Sequence, residues 1–153
     1  MLGLVTVNTF GYKLMLFLHI LSVIVAFAPN FVWPFVSVRL KKQGTPVGPA
    51  IAALAAGNTA KIHGPALVVT GIIGCGLVGM SQKSITFADA WISAALLVWF
   101  LMLGVVFGLM APAEKKAALG DAGADKIVSM AGGILHLLLA VMLFIMIWQP
   151  GRF

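Results

Sequence analysis

Polar residues are sparse along this chain, and the apolar stretches between them predict its elements. Four apolar runs, at residues 11–38, 63–81, 87–110 and 126–148, alternate with short segments that hold most of the charge. A helix needs roughly 20 apolar residues to cross the hydrocarbon core of a bilayer, and each run meets that length closely. The pattern predicts an all-α fold, an integral membrane four-helix bundle formed by one domain over residues 1–153. Pro29 and Pro34 inside the first run predict a kink or a loosened end, and Pro112 and Pro150 close the third and fourth runs. Residues 41–62, rich in Gly, Ala and Pro, predict a short interfacial helix near 51–56. Residues 111–126 mix Glu114, Asp121 and Asp125 with three lysines and read as a solvated turn.

Composition narrows the solvent. Of 153 residues, 61% are hydrophobic and 9% charged, with a mean hydropathy of +1.10. A soluble domain holds about 45–50% apolar and about 25% charged residues, so the lipid bilayer is the first partner this chain implies. The net charge of +6 flanks the apolar runs without a basic, aromatic-interleaved stripe, which points to topology and anionic lipid and not to nucleic acid. Ala26-Phe27-Ala28 imitates a signal-peptide cleavage site, but Pro29 follows at once and the run continues, so the segment reads as a retained helix. The single cysteine, Cys75, excludes an intrachain disulfide and lies in an apolar run, where a thiol behaves as a small hydrophobe.

Cations decide the predicted orientation. Arg39, Lys41, Lys42, Lys61, Lys115, Lys116 and Lys126 fall on one side, and Lys13, Lys83 and Arg152 on the other. Positive loops stay cytoplasmic, so both termini are expected to face the periplasm or exterior of a bacterial inner membrane. Tyr12, Trp91 and Trp148 then fall near the outer border and Trp33 toward the inner one.

Small residues permit close helix approach in lipid, where no hydrophobic drive joins helices. The second run carries Gly71, Cys75 and Gly79 at steps of four, with Gly74 and Gly76 beside them. The third carries Gly104 and Gly108, and the fourth Ser129, Gly132, Gly133, His136 and Ala140. The first carries His19, Ser22, Ala26, Asn30, Trp33 and Ser37 at steps of three or four. All four faces are expected to point inward.

Ionisable groups inside a bilayer are costly and mark functional sites more often than chance. His19 and His136 lie on the inward faces of different runs, and imidazole is the usual ligand of haem b iron, so both are candidate metal and cofactor ligands. By depth from the outer ends they differ by roughly 8 Å at ~1.5 Å per residue, a distance that leaves His19 with Met15 as an alternative pair. His63, beside Lys61, reads as an interfacial residue near lipid phosphate. Thr86 and Asp89 carry the spacing of a capping box at the start of the third run, with a role in proton uptake as the sharper reading of Asp89. Asn30 follows Pro29, and its amide is placed to satisfy a carbonyl that the proline frees. No Ser–His–Asp set or buried carboxylate pair is legible.

The segment from Lys13 through Leu18-His19-Ile20 to Phe27 resembles the opening helix of several small bacterial membrane families. They include four-helix integral membrane proteins of unassigned function, CopD-like copper-resistance domains and HemJ-type protoporphyrinogen oxidases. The stretch from Phe107 to Lys116 is most similar to the first of these. The HemJ-type resemblance implies haem b binding through His19. Phe35 stands after Pro34 where some of those proteins have arginine.

Three functional readings follow: a haem-b-binding or redox-linked membrane protein, a membrane oxidoreductase if it is an enzyme at all; a non-catalytic subunit or assembly factor associating with other membrane subunits or with itself; and a proton or small-solute carrier. Topology is directly testable. A reporter active only in the periplasm is expected to be active when fused after Arg152 and silent when fused after Lys116; the reverse pattern would overturn the orientation.

Overall fold

The structure, a computed structural model, describes residues 9–43 and 48–152, with the side chains of Ser37, Lys41, Ala122 and residues 49–52 outside the described part. Among the described residues every regular element is helical, and the elements join end to end into four rods. The first rod is α1 (Phe10–Lys42). The second consists of α2 (Gly48–Asn58), a π-turn (Thr59–His63) and α3 (Gly64–Met80). The third consists of α4 (Ala90–Gly104), a second π-turn (Val105–Met110) and α5 (Ala111–Ala118). The fourth is α6 (Ala122–Trp148). Each rod contains a stretch long and apolar enough to cross a membrane: Phe10–Leu40, Ala53–Met80, Ala90–Ala118 and Gly123–Trp148.

Prolines explain why the second and third rods are longer than their sequence runs. Pro65 and Pro112 each follow the residue that ends a π-turn by two positions. A proline inside a helix has no N–H to donate and presses on the carbonyl four residues back. Widening the preceding turn relieves that pressure, a local adjustment by which membrane helices accommodate proline. The Gly64 N–H reaches back to the Thr59 carbonyl, and the Ala111 N–H to the Val106 carbonyl. Pro112 therefore does not end the third span, which runs on to Ala118. Likewise, 51–56 belongs to a helix that passes without a break into the second span, so His63 lies within the rod and not at its start. Pro29 and Pro34 are both carried inside one continuous α1.

The fourth rod also begins earlier than its apolar run, because the Asp121 carboxylate accepts from Gly123 N (2.8 Å) and Ala124 N (3.3 Å) as a side-chain cap. Gly120, at φ 91°, makes the reversal before it. At the other end of the bundle, Ser81 closes the link between the second and third rods, its hydroxyl accepting from Ile85 N at 3.1 Å.

The first rod lies along the second, and the second along the third, both antiparallel. Contacts between the first two rods advance in step: Gly11 faces Met80, Met15 faces Gly76, His19 faces Gly74, and Phe27 faces His63. Between the second and third rods Gly71 meets Trp99, Gly64 meets Phe107, and Thr59 meets Glu114. The fourth rod packs on the third and touches the first where Phe31 meets the edge of His136 at 4.7 Å. Loops after the first and third rods share one end, the basic end; the Ser81 link marks the other.

The glycines of α3 serve two neighbours. Gly74 and Gly76 receive His19 and Met15 from the first rod, while the indole of Trp99 lies against Gly71 and donates from Nε1 to the Leu67 carbonyl at 2.9 Å. The small-residue face of the first rod also points inward, with Ala26 and Asn30 buried and His19 and Ser22 half-buried, whereas those of the third and fourth rods do not. Gly104 and Gly108 have open space where a Cβ would stand, and Ser129, Gly133 and Ala140 are exposed. The inner face of α6 includes Ala131, Leu135, Leu139 and Ile145, which share one core with Trp91, Ala95, Val98 and Met102 of α4. Larger apolar side chains fill that seam and leave the small ones outside. The Trp91 side chain is buried in this core. Only 17, 33, 28 and 22% of the four spanning windows is buried within the molecule, so most of the apolar surface, Phe17, Ile24, Ile72, Leu97 and Leu137 among it, faces outward.

This packing separates the glycines by consequence. Gly71→Ala drives a methyl into the Trp99 ring and is expected to lower stability in detergent by about 1–3 kcal/mol. Gly104→Ala is expected to change it by less than about 0.5 kcal/mol. Thermal unfolding of the two purified variants checks the contrast.

Candidate functional site

His19 lies in the seam between the first and second rods. Its Nδ1–H donates to the Thr70 carbonyl at 3.0 Å. The Thr70 hydroxyl stands 2.9 Å from Ser22 Oγ and 2.8 Å from the Ala66 carbonyl, and Ser22 donates back to the His19 carbonyl at 2.7 Å. An imidazole and two hydroxyls thus link the rods where glycine brings them close. His136 is engaged differently. Its Nδ1–H donates to the Gly132 carbonyl of its own helix at 2.8 Å, and its ring meets Phe31. Phe31 is twelve residues beyond His19 on α1, or ~18 Å along the axis. The two histidines therefore do not stand on opposite sides of one iron, and Met15, packed over Gly76, fills the same groove as His19. These residues do not fit a haem held between them. Among the described residues no group of three or more His, Cys, Asp and Glu side chains is placed to hold a metal ion.

Asp89 serves the chain turn. Its carboxylate accepts from Thr86 N at 2.9 Å and from Thr86 Oγ1 at 3.1 Å. One half of the capping box forms, with the carboxylate reaching back to the threonine N–H. The threonine hydroxyl donates to that carboxylate instead of accepting from the helix, and α4 begins only at Ala90.

A second polar group lies toward the basic end, assembled by the two π-turns. Thr59 opens the first π-turn and His63 closes it; Glu114 stands one turn beyond the second. The Thr59 hydroxyl donates to Glu114 Oε1 at 3.0 Å. Phe27 lies 5.9 Å from the His63 ring, centroid to centroid, and Asn30 follows Phe27 by three residues on the same face of α1. The antiparallel register of the first two rods brings Asn30 level with the first π-turn.

These groups are closed off from solvent. Asn30, His63 and Glu114 are 3, 1 and 2% exposed. Asn30 Nδ2, both ring nitrogens of His63 and Glu114 Oε2 have no hydrogen-bond partner, and the only other such side-chain atom among the described residues is Trp91 Nε1 in the α4 core. Asn30 thus does not cap the carbonyl freed by Pro29, and its own carbonyl faces Pro34, which has no N–H four residues on. Buried polar atoms are paired in the large majority of cases, and each orphan costs about 1–3 kcal/mol. Four such atoms on three side chains concentrate that cost toward the basic end of the bundle.

Sequence reading singled out Asn30 and His63 and missed Thr59 and Glu114. Glu114 sits beside Lys115 and Lys116, which disguises it as part of a charged turn, yet the lysines are exposed and the glutamate is buried. The available signal was Pro112: a proline two residues before the glutamate that the helix absorbs by widening a turn without ending.

No family model, curated protein or solved structure matches this chain.

The two histidine environments predict opposite effects. His63→Leu removes two orphaned nitrogens and is expected to raise stability by about 1 kcal/mol. His19→Ala removes the bond that joins the two rods and leaves a cavity at a close helix seam, and is expected to lower it by about 1–3 kcal/mol. Thermal melting in detergent reads both signs, and a destabilised His63→Leu would show that the ring is there for packing.

Proposed function

We propose that the chain is a multi-pass protein of the bacterial cytoplasmic membrane, with both termini outside, that carries a proton or another small solute. The carrying group is the cluster of Asn30, Thr59, His63 and Glu114. The observation that supports this reading is the pair of buried, incompletely bonded ionisable side chains, His63 and Glu114, held between rods apolar enough to cross a membrane. Ionisable residues retained in such a setting belong to substrate or ion pathways more often than to scaffolds. The cost of leaving their atoms unpaired is the kind of stability sacrifice that functional sites make. Neither the redox-linked reading nor its haem b gains support from the histidines proposed for it, since each ring is engaged singly on a different pair of surfaces.

A second reading draws on another observation. The outward small-residue faces, Gly104 with Gly108 and Ser129 with Gly133 and Ala140, are suited to close approach of another membrane helix, from a second copy or from a partner subunit. Association and transport are compatible.

Reconstituted on a solid-supported membrane, the protein is expected to give transient currents after a jump in at least one of pH, Na⁺, K⁺ or ammonium. Glu114→Gln should reduce that current at least tenfold. Silence across the panel, or currents indifferent to Glu114, would remove the carrier reading.

A further inference from the structure

Resting on the carrier reading, we infer that the species carried is a proton and that its route is the seam between the first and second rods, with two polar stations separated by an apolar plug. The station at the basic end is Glu114 with His63. The second is His19 with Ser22 and Thr70.

The donor set points to a proton. Glu114 offers one carboxyl oxygen without a partner, and His63 offers two free ring nitrogens. Imidazole gains and loses a proton near neutral pH, and a carboxyl group is a common partner in proton transfer. A hard cation needs several convergent oxygen ligands, and here one of the carboxyl oxygens is already occupied by the Thr59 hydroxyl. The station is also closed and tightly walled: a methyl at Gly64 would stand 2.7 Å from the Phe107 ring. A polyatomic solute needs room that a proton does not.

The charged groups around the station do not neutralise it. Lys61, Lys115 and Lys116, on the same two rods, are exposed, as are Asp125 and Lys126 on the fourth. The first rod contributes Phe27 and the neutral amide of Asn30.

The seam supplies the route. Ser22 lies eight residues from Asn30 on α1, ~12 Å along the axis. Between them Ala26 and Phe27 are buried in the apolar core. They form the plug, and the Phe27 ring is the part of it that faces His63. When water reaches the buried carboxylate from the basic end, an O–H bond of hydronium breaks as an O–H bond forms at Glu114 Oε2. That bond breaks as an N–H bond forms on His63. Once the Phe27 ring moves aside and water enters the seam, the His63 N–H bond breaks as an O–H bond forms on that water, the water file carries the proton the ~10 Å to the free ring nitrogen of His19, and the His19 N–H bond then breaks to water at the far end. No electron changes hands, and His63 and Glu114 return to their starting states.

Proteoliposome currents after pH jumps at constant Na⁺ and K⁺ test this, with a pH-sensitive dye enclosed to identify the ion. The wild type is expected to move protons, Glu114→Gln at least tenfold fewer, and His19→Ala several-fold fewer. Phe27→Ala is expected to raise passive proton leak several-fold. Because His19→Ala weakens the seam, Phe27→Ala keeps the route testable if that variant does not fold; an unchanged leak in folded Phe27→Ala overturns the route. A current driven by Na⁺, K⁺ or ammonium at constant pH, dependent on Glu114 and with no dye response, overturns the proton and leaves the carrier reading in place. No Glu114-dependent current under any gradient overturns both.

Discussion

A proline within a helix cannot donate its hydrogen bond and cannot tolerate a carbonyl pressed against its ring, and the polar interior of this bundle depends on how two such prolines are accommodated. Pro65 and Pro112 are absorbed by widening the turn before each of them. A helix that ended at either proline would leave several backbone groups unpaired, which lipid does not forgive. Widening is the cheaper solution, and it changes which residues face inward. It turns Thr59 and His63 toward the neighbouring rods and lets the third rod continue far enough to carry Glu114 into the protein. The contact between Gly64 and Phe107 then locks one π-turn against the other.

The two seams flanking the second rod do different work. On the side of the first rod, glycine brings the backbones close enough for His19, Ser22 and Thr70 to bond across the gap. On the side of the third rod, Gly71 makes room for Trp99, whose indole N–H secures the Leu67 carbonyl. Each seam pairs its polar atoms almost completely toward the middle of the molecule. Near the π-turns that completeness is lost, and the orphaned atoms of Asn30, His63 and Glu114 gather where pairing is poorest. Satisfied and unsatisfied polar groups thus occupy separate stretches of one interior, with Ala26 and Phe27 between them.

The four apolar rods were legible because composition and hydropathy act over some twenty residues and tolerate local error. Their ends were not. The fourth rod starts at Ala122 because of one capping carboxylate, Asp121, that hydropathy averages away, and the third runs through Pro112 because a π-turn is a tertiary accommodation with no pattern of its own. Facing was the least legible property. Small residues mark places where helices are able to approach, but the choice among them depends on the partner: Gly71, Gly74 and Gly76 are used, while Gly104 and Gly108 look outward. For the site, His63 and Asn30 stood out as polar residues in apolar surroundings. Glu114 did not, because its two lysine neighbours supplied the charge balance that its buried side chain never uses.

A buried glutamate with one oxygen bonded and one free is a poor way to hold helices together. If Thr59 and Glu114 were present only to join the second and third rods, the contact would be completed by a second donor to Oε2, or replaced by apolar packing of the same shape at little cost. Neither is the case, although Lys61, Lys115 and Lys116 are close along the chain and remain exposed. The imidazole of His63 goes further, with both nitrogens free and its ring set against Phe27. The Thr59 bond fixes Glu114 and packing holds His63, while the atoms left open preserve their capacity to exchange a proton. Rigid placement combined with an open valence is the arrangement that the proposed transfer site requires, and the π-turns allow the helical bundle to provide it without unpairing its backbone.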